Sequence, residues 1–242
     1  MNQFGVCDLH GHFLPGMDDG SKSVEESLRM MKASKEQGIH SMFATPHYYP
    51  VESVEQFLDR RERSAGALQA ALAKNKEAYP QFCLGAEVSY RLGIGTAEGL
   101  ERLCLGKSRY LLLELPFTPW DGGLFRDLSS LINVQGLIPV IAHIERYLPI
   151  QSQKTMDRLL EQNVLLQMNA EVFSSWRSRG VAKRLFQDGV VQLLGSDCHN
   201  MQTRSPNLGA ALTYLEKKGM KNVIRQIAEL SSDIFEEAIS GQ

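Results

Sequence analysis

The sequence predicts an α/β protein built around a parallel β-sheet, and three features of the chain lead to this fold class. Seven short apolar runs alternate with longer stretches of helical periodicity from one end to the other. Strands that alternate with helices form a parallel sheet with both faces covered. Polar side chains also cluster after the apolar runs, at the end where such sheets carry their chemistry. Closure into a barrel and a doubly wound open sheet both satisfy these features.

The predicted strands are the short apolar runs, which occupy residues 4–9, 41–45, 82–88, 110–115, 138–142, 164–169 and 190–195. Capping boxes mark the start of two helices between them. In each box a serine precedes a Glu or Gln by three residues, as in Ser23 with Glu26 and Ser53 with Gln56. The second box predicts a helix that runs to about residue 76. The last forty residues are periodic at 208–217 and 222–230, which predicts helices only.

The composition fits one globular domain over residues 1–242. Hydrophobic residues make up 43% of the chain and charged residues 22%, with a net charge of −2. That balance gives no reason to expect nucleic acid or an anionic membrane as a partner. The four cysteines form no C-x-x-C pair, the amino terminus lacks the pattern of a signal peptide, and the longest apolar runs are too short to span a bilayer. The sequence therefore predicts a cytoplasmic protein without direct membrane insertion.

Ionisable side chains follow or end six of the seven predicted strands. They are His10 and His12 after the first strand, His47 after the second, Glu87 in the third, Glu114 in the fourth, His143 after the fifth, and Asp197 and His199 after the seventh. A single histidine in such a place is more often an ordinary polar cap than a ligand. The combination is different, because the spacing of His10 and His12 directs both rings to one side of an extended segment.

These side chains together indicate a site for divalent metal ions. Glu114 lies inside an apolar run, where an unpaired carboxylate is costly and needs a cation, a metal or a dense hydrogen-bond network. A structural ion pair is the alternative to a metal site. Mixed imidazole and carboxylate ligands suit zinc, manganese or iron better than magnesium or calcium. The sixth histidine, His40, precedes the second strand at its amino end, and we expect it to be structural.

The order of these segments resembles that of the PHP (polymerase and histidinol phosphatase) superfamily. The matching stretches are residues 8–12, 14–20, 44–47, 85–87, 141–147 and 196–200. Two of them are more specific, the Asp-Asp-Gly stretch at 18–20 and the His-Ile-Glu-Arg-Tyr stretch at 143–147. They resemble the branch of manganese-dependent tyrosine-protein phosphatases found at capsule and exopolysaccharide loci.

The resemblance implies a distorted (β/α)7 barrel of the TIM type, with a metal site at the carboxyl ends of its parallel strands. It implies three divalent ions, with manganese first and zinc or iron as alternatives. The implied ligands are His10, His12, Asp19, His47, Glu87, Glu114, His143, Asp197 and His199, with Asp19 preferred to its neighbour Asp18. One ion would be held by His10, His12 and Asp197, with Glu87 bridging it to a second ion completed by His143. A third would be held by Asp19, His47 and His199, with Glu114 bridging it to the first.

The resemblance also implies the reaction, in which metal-activated hydroxide hydrolyses phosphotyrosine on a partner bacterial tyrosine kinase linked to capsule or exopolysaccharide synthesis. Arg146 and Arg204 are the predicted catalytic residues, because a guanidinium matches two phosphoryl oxygens. A solvated loop arginine is the alternative for Arg204. Four aromatic residues follow strand ends and either line a mouth that accepts a phenyl ring or pack under the loops: Tyr48, Tyr49, Phe117 and Trp120.

Three alternatives are compatible with parts of the sequence. Cys198, Arg204 and Ser205 satisfy the C-x5-R-[ST] pattern of cysteine-dependent tyrosine phosphatases, but the residues between them lack the glycine that a phosphate-cradling loop usually needs. We therefore interpret that match as a coincidence. The second alternative is a PHP-type phosphatase acting on a small phosphomonoester such as histidinol phosphate. The third is a non-catalytic, metal-stabilised module that binds phosphotyrosine, against which the complete ligand set argues.

Overall fold

The structure is a computed structural model that describes residues 5–240, and strands alternate with helices over this range. The strands are β1 Ser41–Ala44, β2 His47–Tyr48, β3 Gln81–Leu84, β4 Glu87–Ser89, β5 Tyr110–Glu114, β6 Ile138–Ile141, β7 Leu165–Asn169 and β8 Leu193–Gly195. The α-helices are α1 Val24–Glu36, α2 Val54–Lys74, α3 Gly122–Asn133, α4 Gln153–Leu160, α5 Arg179–Gln187, α6 Leu208–Lys217 and α7 Lys221–Ser240.

The strands pair in parallel throughout the described range, which confirms the predicted fold class. Six of them form one sheet in the order β2-β4-β5-β6-β7-β8, and β1 pairs with β3 beside it. The sheet curls into a half-barrel. Because its strands are parallel, their carboxyl ends all lie at the same rim. A full (β/α)7 barrel remains a prediction, as does the single domain over residues 1–242.

One of the predicted strands is divided in the structure, and another is followed by a second short strand. The run predicted at 82–88 becomes β3 and β4, while the run predicted at 41–45 corresponds to β1 alone, and β2 follows it at 47–48. The breaks between the paired strands lie opposite each other, where Pro46, which has no N–H to donate to a ladder, faces Gly85 and Ala86. Pairing resumes beyond the break, where the N–H of Glu87 donates to the carbonyl of Pro46 over 3.1 Å. The interruption places His47 and Glu87 side by side in register.

The first predicted strand differs from the structure. Residue 4 lies outside the described range, and residues 5–9 form no regular strand. Instead, isolated parallel bridges join Asp8 to Met42 on one side and Gly11 to Cys198 on the other. The N–H of Phe43 also donates to the carbonyl of Asp8 over 2.8 Å. The segment thus divides its backbone bonds between β1 and the residues after β8, and neither neighbour gives it a continuous ladder.

The helix starts agree with the predicted capping boxes in part. Ser53 and Gln56 exchange both bonds of a box at the start of α2, which ends at Lys74 and not at about residue 76. At α1 only half a box forms, because the carboxylate of Glu26 accepts from the N–H of Lys22 in place of Ser23. The periodic segment at 208–217 is confirmed as α6, while that at 222–230 belongs to the longer α7. None of the helices between residues 5 and 240 is both long and apolar enough to cross a membrane.

The core lies on both faces of the sheet, and its pattern explains where the polar site forms. Leu111 and Leu113 of β5 belong to the large apolar cluster between sheet and helices. Leu112 points to the opposite face, where a smaller cluster contains Leu9, Phe43, Val140, Leu193 and, from α7, Ile234, Phe235 and Ala238. Alternate residues of a strand share a face, so Glu114 extends from the Leu112 face at the carboxyl end. Apolar packing therefore fills this face up to the rim, and the polar site begins there.

Candidate metal centre

Two histidines of the first segment meet two carboxylates from distant parts of the chain. The Nε2 atoms of His10 and His12 lie 3.1 Å apart. Each of them lies 3.2 Å from Oε2 of Glu87 and 3.5 Å from Oδ1 of Asp197. All four side chains are buried. The residues predicted to hold the first ion, His10, His12 and Asp197, are thus close enough for one ion to contact all three.

Glu87 is the centre of the arrangement. Its Oε2 also lies 3.0 Å from Nδ1 of His47, and its Oε1 lies 2.9 Å from Nε2 of His143. Glu114 approaches the same atom of His143 to 3.3 Å. Ligand atoms of His47, Glu87 and Glu114 form a second compact group. This places Glu114 beside Glu87 and His143, whereas the resemblance implied that it bridges the first and third ions.

A third group of ligand atoms surrounds the exposed side chain of Asp19. Its Oδ1 lies 3.4 Å from Nε2 of His47 and 3.4 Å from Nε2 of His199. His12 completes this group, whose ligand atoms all lie within 4.8 Å of one another. The structure therefore brings all nine predicted ligands to one rim, and it groups Asp19, His47 and His199 as the resemblance implied.

Several buried polar atoms of the cluster lack hydrogen bonds, and this bears on whether the residues fit metal ions. Among the described residues, Oε2 of Glu87, Nε2 of His199 and Nδ1 of His47 are buried and form no hydrogen bond of suitable geometry, although other ligand atoms lie 3.0–3.4 Å away. Buried polar atoms are normally paired, and unpaired ones need a specific explanation. Carboxylate oxygens and imidazole nitrogens that point together at one space are the donor set of a transition-metal or zinc ion. The residues present therefore fit divalent ions.

The charges of the cluster point the same way. Burial disfavours the charged form of His12, but the hydrogen bond with Asp18 and the nearby carboxylate of Glu87 outweigh it and raise the pKa of His12 to about 10. Burial is likewise outweighed at His143, where bonds with Glu114 and Glu87 raise the pKa to about 9. Burial alone would raise the pKa of Glu87, yet the surrounding histidines hold that pKa well below its usual range. The carboxylate of Glu87 thus stays ionised and strongly favours positive charge beside it.

Asp18 explains why only its neighbour Asp19 faces the open side of the site. Oδ2 of Asp18 accepts from Nδ1 of His12 over 2.7 Å and from the N–H of His47 over 2.9 Å, while its Oδ1 accepts from the N–H of Gly20. It therefore orients a ligand ring from behind, as second-layer carboxylates do at metal sites. The turn needs Gly20, because a Cβ there would lie 2.2 Å from the carbonyl oxygen of His12.

Two further residues of the site lie on β7, the strand from which the sequence predicted no ligand. Oε1 of Gln167 accepts from Nδ1 of His10 over 3.2 Å and from the N–H of His143 over 2.9 Å. Its Nε2 donates to Asn169, whose own amide donates to Asp197 over 2.8 Å. The sequence does contain a signal for these residues, since two amide side chains lie two positions apart in an apolar strand and so point to the same face. The prediction missed them because it considered ionisable side chains alone.

Backbone strain occurs at two of the predicted ligands. His143 has φ 36° and Asp197 has φ 51°, and they are the only residues besides glycine with positive φ between residues 5 and 240. Such conformations cost about 1–3 kcal/mol each and persist where surrounding bonds over-determine them. Gln167 and Asn169 supply such bonds. Strain that is confined to two clustered polar residues indicates a functional site.

The two predicted arginines converge on one oxygen atom. Nη2 of Arg146 and Nη2 of Arg204 each lie 2.6 Å from Oδ2 of Asp197. Both side chains remain about one third exposed, so they can also reach a ligand at the rim. Arg204 is held by a compact turn in which Oδ1 of Asn200 accepts its N–H and that of Thr203. Arg204 therefore contacts the site and does not project freely into solvent.

The thiol of Cys198 faces away from this cluster. It is fully buried within the large apolar core, and burial raises the pKa of Cys198 far above its ordinary value. The side chains of Asp197 and His199 point to the cluster on the opposite side. A buried, protonated thiol is a poor nucleophile, so the structure disfavours the cysteine-dependent alternative.

The four aromatic residues divide into two pairs. Tyr49 and Phe117 are about half exposed, and they stack on the rings of His47 and His143. Burial and nearby carboxylates raise the pKa of the Tyr49 phenol, so it stays protonated at neutral pH.

Tyr48 and Trp120 instead pack under the loops, as the alternative interpretation held. Both are buried, and their polar atoms donate to the backbone carbonyls of Glu52 and Pro116. His40 is also remote from the cluster, as expected. It is exposed at the amino end of β1 and lies 2.6 Å from Nζ of Lys35.

Similarity to known proteins covers most of the chain. The sequence profile described as "Capsular polysaccharide synthesis, CpsB/CapC" matches residues 6–233. The chain is 31% identical to tyrosine-protein phosphatase YwqE of Bacillus subtilis over 88% of its own length and 85% of that protein. It is 29% identical to tyrosine-protein phosphatase CpsB of Streptococcus pneumoniae, over 88% and 90% of the two chains.

A crystal structure from a study of these two relatives has a closely similar fold. That study describes YwqE from B. subtilis and CpsB from S. pneumoniae as unique metal-dependent tyrosine phosphatases. The alignment has a TM-score of 0.80 and 25% identity, and it covers 96% of this chain and 94% of the other. The curled sheet and its rim are therefore shared across nearly the full length.

Proposed function

The chain belongs to the CpsB/CapC family of capsular polysaccharide synthesis proteins, and we propose that it is a metal-dependent protein-tyrosine phosphatase. One observation carries the proposal. Four histidines surround the buried carboxylate of Glu87 at 2.9–3.2 Å, while two guanidiniums lie 2.6 Å from Asp197 at the edge of the same cluster. Such a site combines ligands for divalent cations with groups that recognise phosphate.

The proposed cofactor is a cluster of three divalent ions, with manganese first and zinc or iron as alternatives. The proposed ligands are His10, His12, Asp19, His47, Glu87, Glu114, His143, Asp197 and His199. When bound, such ions lower the pKa of water toward neutrality and offset the negative charge of phosphoryl oxygens. The unpaired atoms of Glu87, His47 and His199 support the proposal, since ions supply the partners they lack.

The arginines bind the phosphate in this proposal. Arg146 and Arg204 approach from residues after β6 and after β8, and each offers more donors than the carboxylate of Asp197 can accept. A guanidinium forms two parallel bonds to phosphoryl oxygens, so the pair fixes both position and orientation of the group. Asp18 and Gln167 meanwhile hold the His12 and His10 rings in place from behind.

Phosphotyrosine suits a site of this composition. The pKa of phenol in tyrosine is about 10, so the phenolate leaves more readily than an alkoxide and needs less help from a general acid. We propose that the substrate tyrosine lies on a partner bacterial tyrosine kinase linked to capsule or exopolysaccharide synthesis. The relatives named tyrosine-protein phosphatases and the capsular family support this partner.

We propose that the half-barrel and residues 8–12 together make a distorted (β/α)7 barrel. The bonds of this segment to β1 and to Cys198 after β8 support it. We also propose a cytoplasmic location, which the four free thiols support, because the cytoplasm keeps cysteines reduced.

The proposal is tested by phosphate release from a phosphotyrosine peptide, with histidinol phosphate as the competing substrate. Chelation should abolish release, and added manganese should restore it. Preferential turnover of histidinol phosphate would identify a small-molecule phosphatase instead. Metal-loaded protein that binds the peptide without releasing phosphate would identify a non-catalytic module. Undiminished release after complete removal of metal would contradict the metal-dependent mechanism.

A further inference from the structure

Two half-exposed aromatic rings border the metal centre. Tyr49 is 46% exposed and Phe117 is 49% exposed. The ring of Tyr49 stacks on that of His47 at 5.4 Å with an angle of 25°, and the ring of Phe117 stacks on that of His143 at 6.0 Å with an angle of 19°. Each ring therefore has one face against a proposed ligand and leaves part of its surface to solvent at the rim.

The two stacked pairs meet at the same carboxylate. His47 contacts Oε2 of Glu87 at 3.0 Å, and His143 contacts Oε1 at 2.9 Å. Tyr49 follows β2 and Phe117 follows β5, with β4, which carries Glu87, between these strands in the sheet. The rings thus approach the centre of the site from both sides of the strand that supplies its central ligand.

Phe117 is also fixed in place from beneath. Its ring stacks on that of Tyr147 at 5.3 Å with an angle of 29°. Tyr147 is fully buried, and its hydroxyl donates to the carbonyl of Leu115 and accepts the N–H of the same residue. A ring held in this way loses little freedom when a ligand packs on it, so contact with a ligand costs little entropy.

The cationic part of the rim lies elsewhere. Arg146 and Arg204 converge on Asp197, after β8, while the two rings follow β2 and β5. The mouth therefore offers aromatic surface on one side and guanidinium groups on the other. A molecule with a phosphate at one end and a flat apolar group at the other matches both sides.

We propose that Tyr49 and Phe117 receive the phenyl ring of phosphotyrosine and make the site selective for aryl over alkyl phosphate esters. The inference rests on the proposed function and names residues that determine its substrate class. Stacked aromatic pairs contribute a few-fold to about tenfold each in affinity. Loss of either ring should weaken an aryl ligand by that factor and leave a ligand without a ring unaffected.

The experiment is calorimetric binding of phenylphosphonate and methylphosphonate to the manganese-loaded protein. Both ligands carry the same phosphonate group, and only the first carries a phenyl ring. The parent should bind phenylphosphonate more tightly. Tyr49→Ala and Phe117→Ala should each reduce the ratio of the two affinities by about two- to tenfold, with methylphosphonate binding unchanged. Tyr49→Phe keeps the ring and should keep the ratio.

Trp176→Ala is the matched control, because Trp176 is an exposed ring after β7 that lies beside the guanidinium of Arg177. It should leave the ratio unchanged. Phe117→Leu guards against a folding defect, since it keeps apolar volume and removes the flat face; it should lower the ratio as Phe117→Ala does. Equal ratios in parent and ring variants, or a parallel loss of methylphosphonate binding, would overturn the inference.

Failure of this inference is distinguishable from failure of the proposed function. A parent that hydrolyses phosphotyrosine peptide but shows the same affinity ratio in all variants retains the function and refutes the role of the rings. A parent whose affinity ratio depends on Tyr49 and Phe117, yet which releases no phosphate, supports the binding role and refutes catalysis.

Discussion

The carboxylate of Asp18 accepts a hydrogen bond from Nδ1 of His12 over 2.7 Å, which leaves Nε2 of the same ring to face Glu87 and Asp197. This bond fixes the tautomer and the orientation of a proposed ligand. Asp18 is thus the positioning residue of the pair Asp18 and Asp19, while Asp19 lies on the open side of the site.

Asp18→Asn should lower the affinity for manganese by about 10- to 100-fold, because an amide orients the His12 ring less strongly than a carboxylate. Calorimetric titration of metal-depleted protein measures this change. Asp59→Asn, at an exposed position of α2, serves as the control and should bind manganese as the parent does. Equal affinities in Asp18→Asn and the parent would show that the bond has no role in metal binding.

Gln167 should contribute to both stability and metal binding. Gln167→Met removes the acceptor for His10 and for the N–H of His143, and it leaves these buried donors unpaired. We expect a loss of about 2–4 kcal/mol in the free energy of unfolding and weaker binding of manganese. Urea unfolding and calorimetry measure the two effects. Gln226→Met, on the exposed side of α7, should change neither, and an equally small effect at Gln167 would refute its positioning role.

The arginines should act on phosphate and not on metal. Arg146→Lys and Arg204→Lys each keep the charge but lose the paired geometry of the guanidinium, so kcat/KM for a phosphotyrosine peptide should fall by about tenfold or more. Metal content, measured by elemental analysis, should stay constant. Arg177→Lys provides a control at an exposed loop position. Loss of metal in either variant would assign these arginines to the support of Asp197 instead.

Alanine substitutions at Gly20 and Gly180 compare a closely packed position beside the site with an open one. A Cβ at Gly20 would lie 2.2 Å from the His12 carbonyl oxygen, so Gly20→Ala should destabilise the protein by more than about 2 kcal/mol. Gly180 lies in α5 with open space around it, and Gly180→Ala should stabilise by up to about 1 kcal/mol. Thermal unfolding of both variants measures these shifts. A neutral or stabilising effect of Gly20→Ala would show that the turn at Gly20 has room to relax.

The sequence predicts the parallel α/β class and the positions of most strands because burial on both faces leaves uninterrupted apolar runs. It does not predict the breaks between β1 and β2 and between β3 and β4. These breaks lie at Pro46 and at the residues opposite it, and which strand pairs with the Pro46 segment depends on the tertiary fold. The first segment shows the same limit. The run predicted at 4–9 has the apolar pattern of a strand, but its described part divides its backbone hydrogen bonds between two neighbouring segments.

Most proposed ligands of the candidate site can be read from the sequence because they follow or end apolar runs, and parallel strands end at one rim. Asp19 lies in a loop before α1 and is implied by the family resemblance alone. The supporting residues cannot be found in this way. Gln167 and Asn169 carry no charge, and their importance depends on which ligands lie opposite β7. The exposure of Tyr49 and Phe117, as against the burial of Tyr48 and Trp120, likewise depends on tertiary packing.

The metal-dependent mechanism is tested most directly by phosphate release from a phosphotyrosine peptide by the parent, His143→Ala and Cys198→Ser, with and without chelator and added manganese. His143 contacts Glu87 and Glu114, whereas the Cys198 thiol is buried in the apolar core. We expect His143→Ala and chelation each to reduce release by at least about 100-fold, while Cys198→Ser stays active. Inactive Cys198→Ser together with full activity of chelated parent would contradict the metal mechanism and assign the reaction to the thiol.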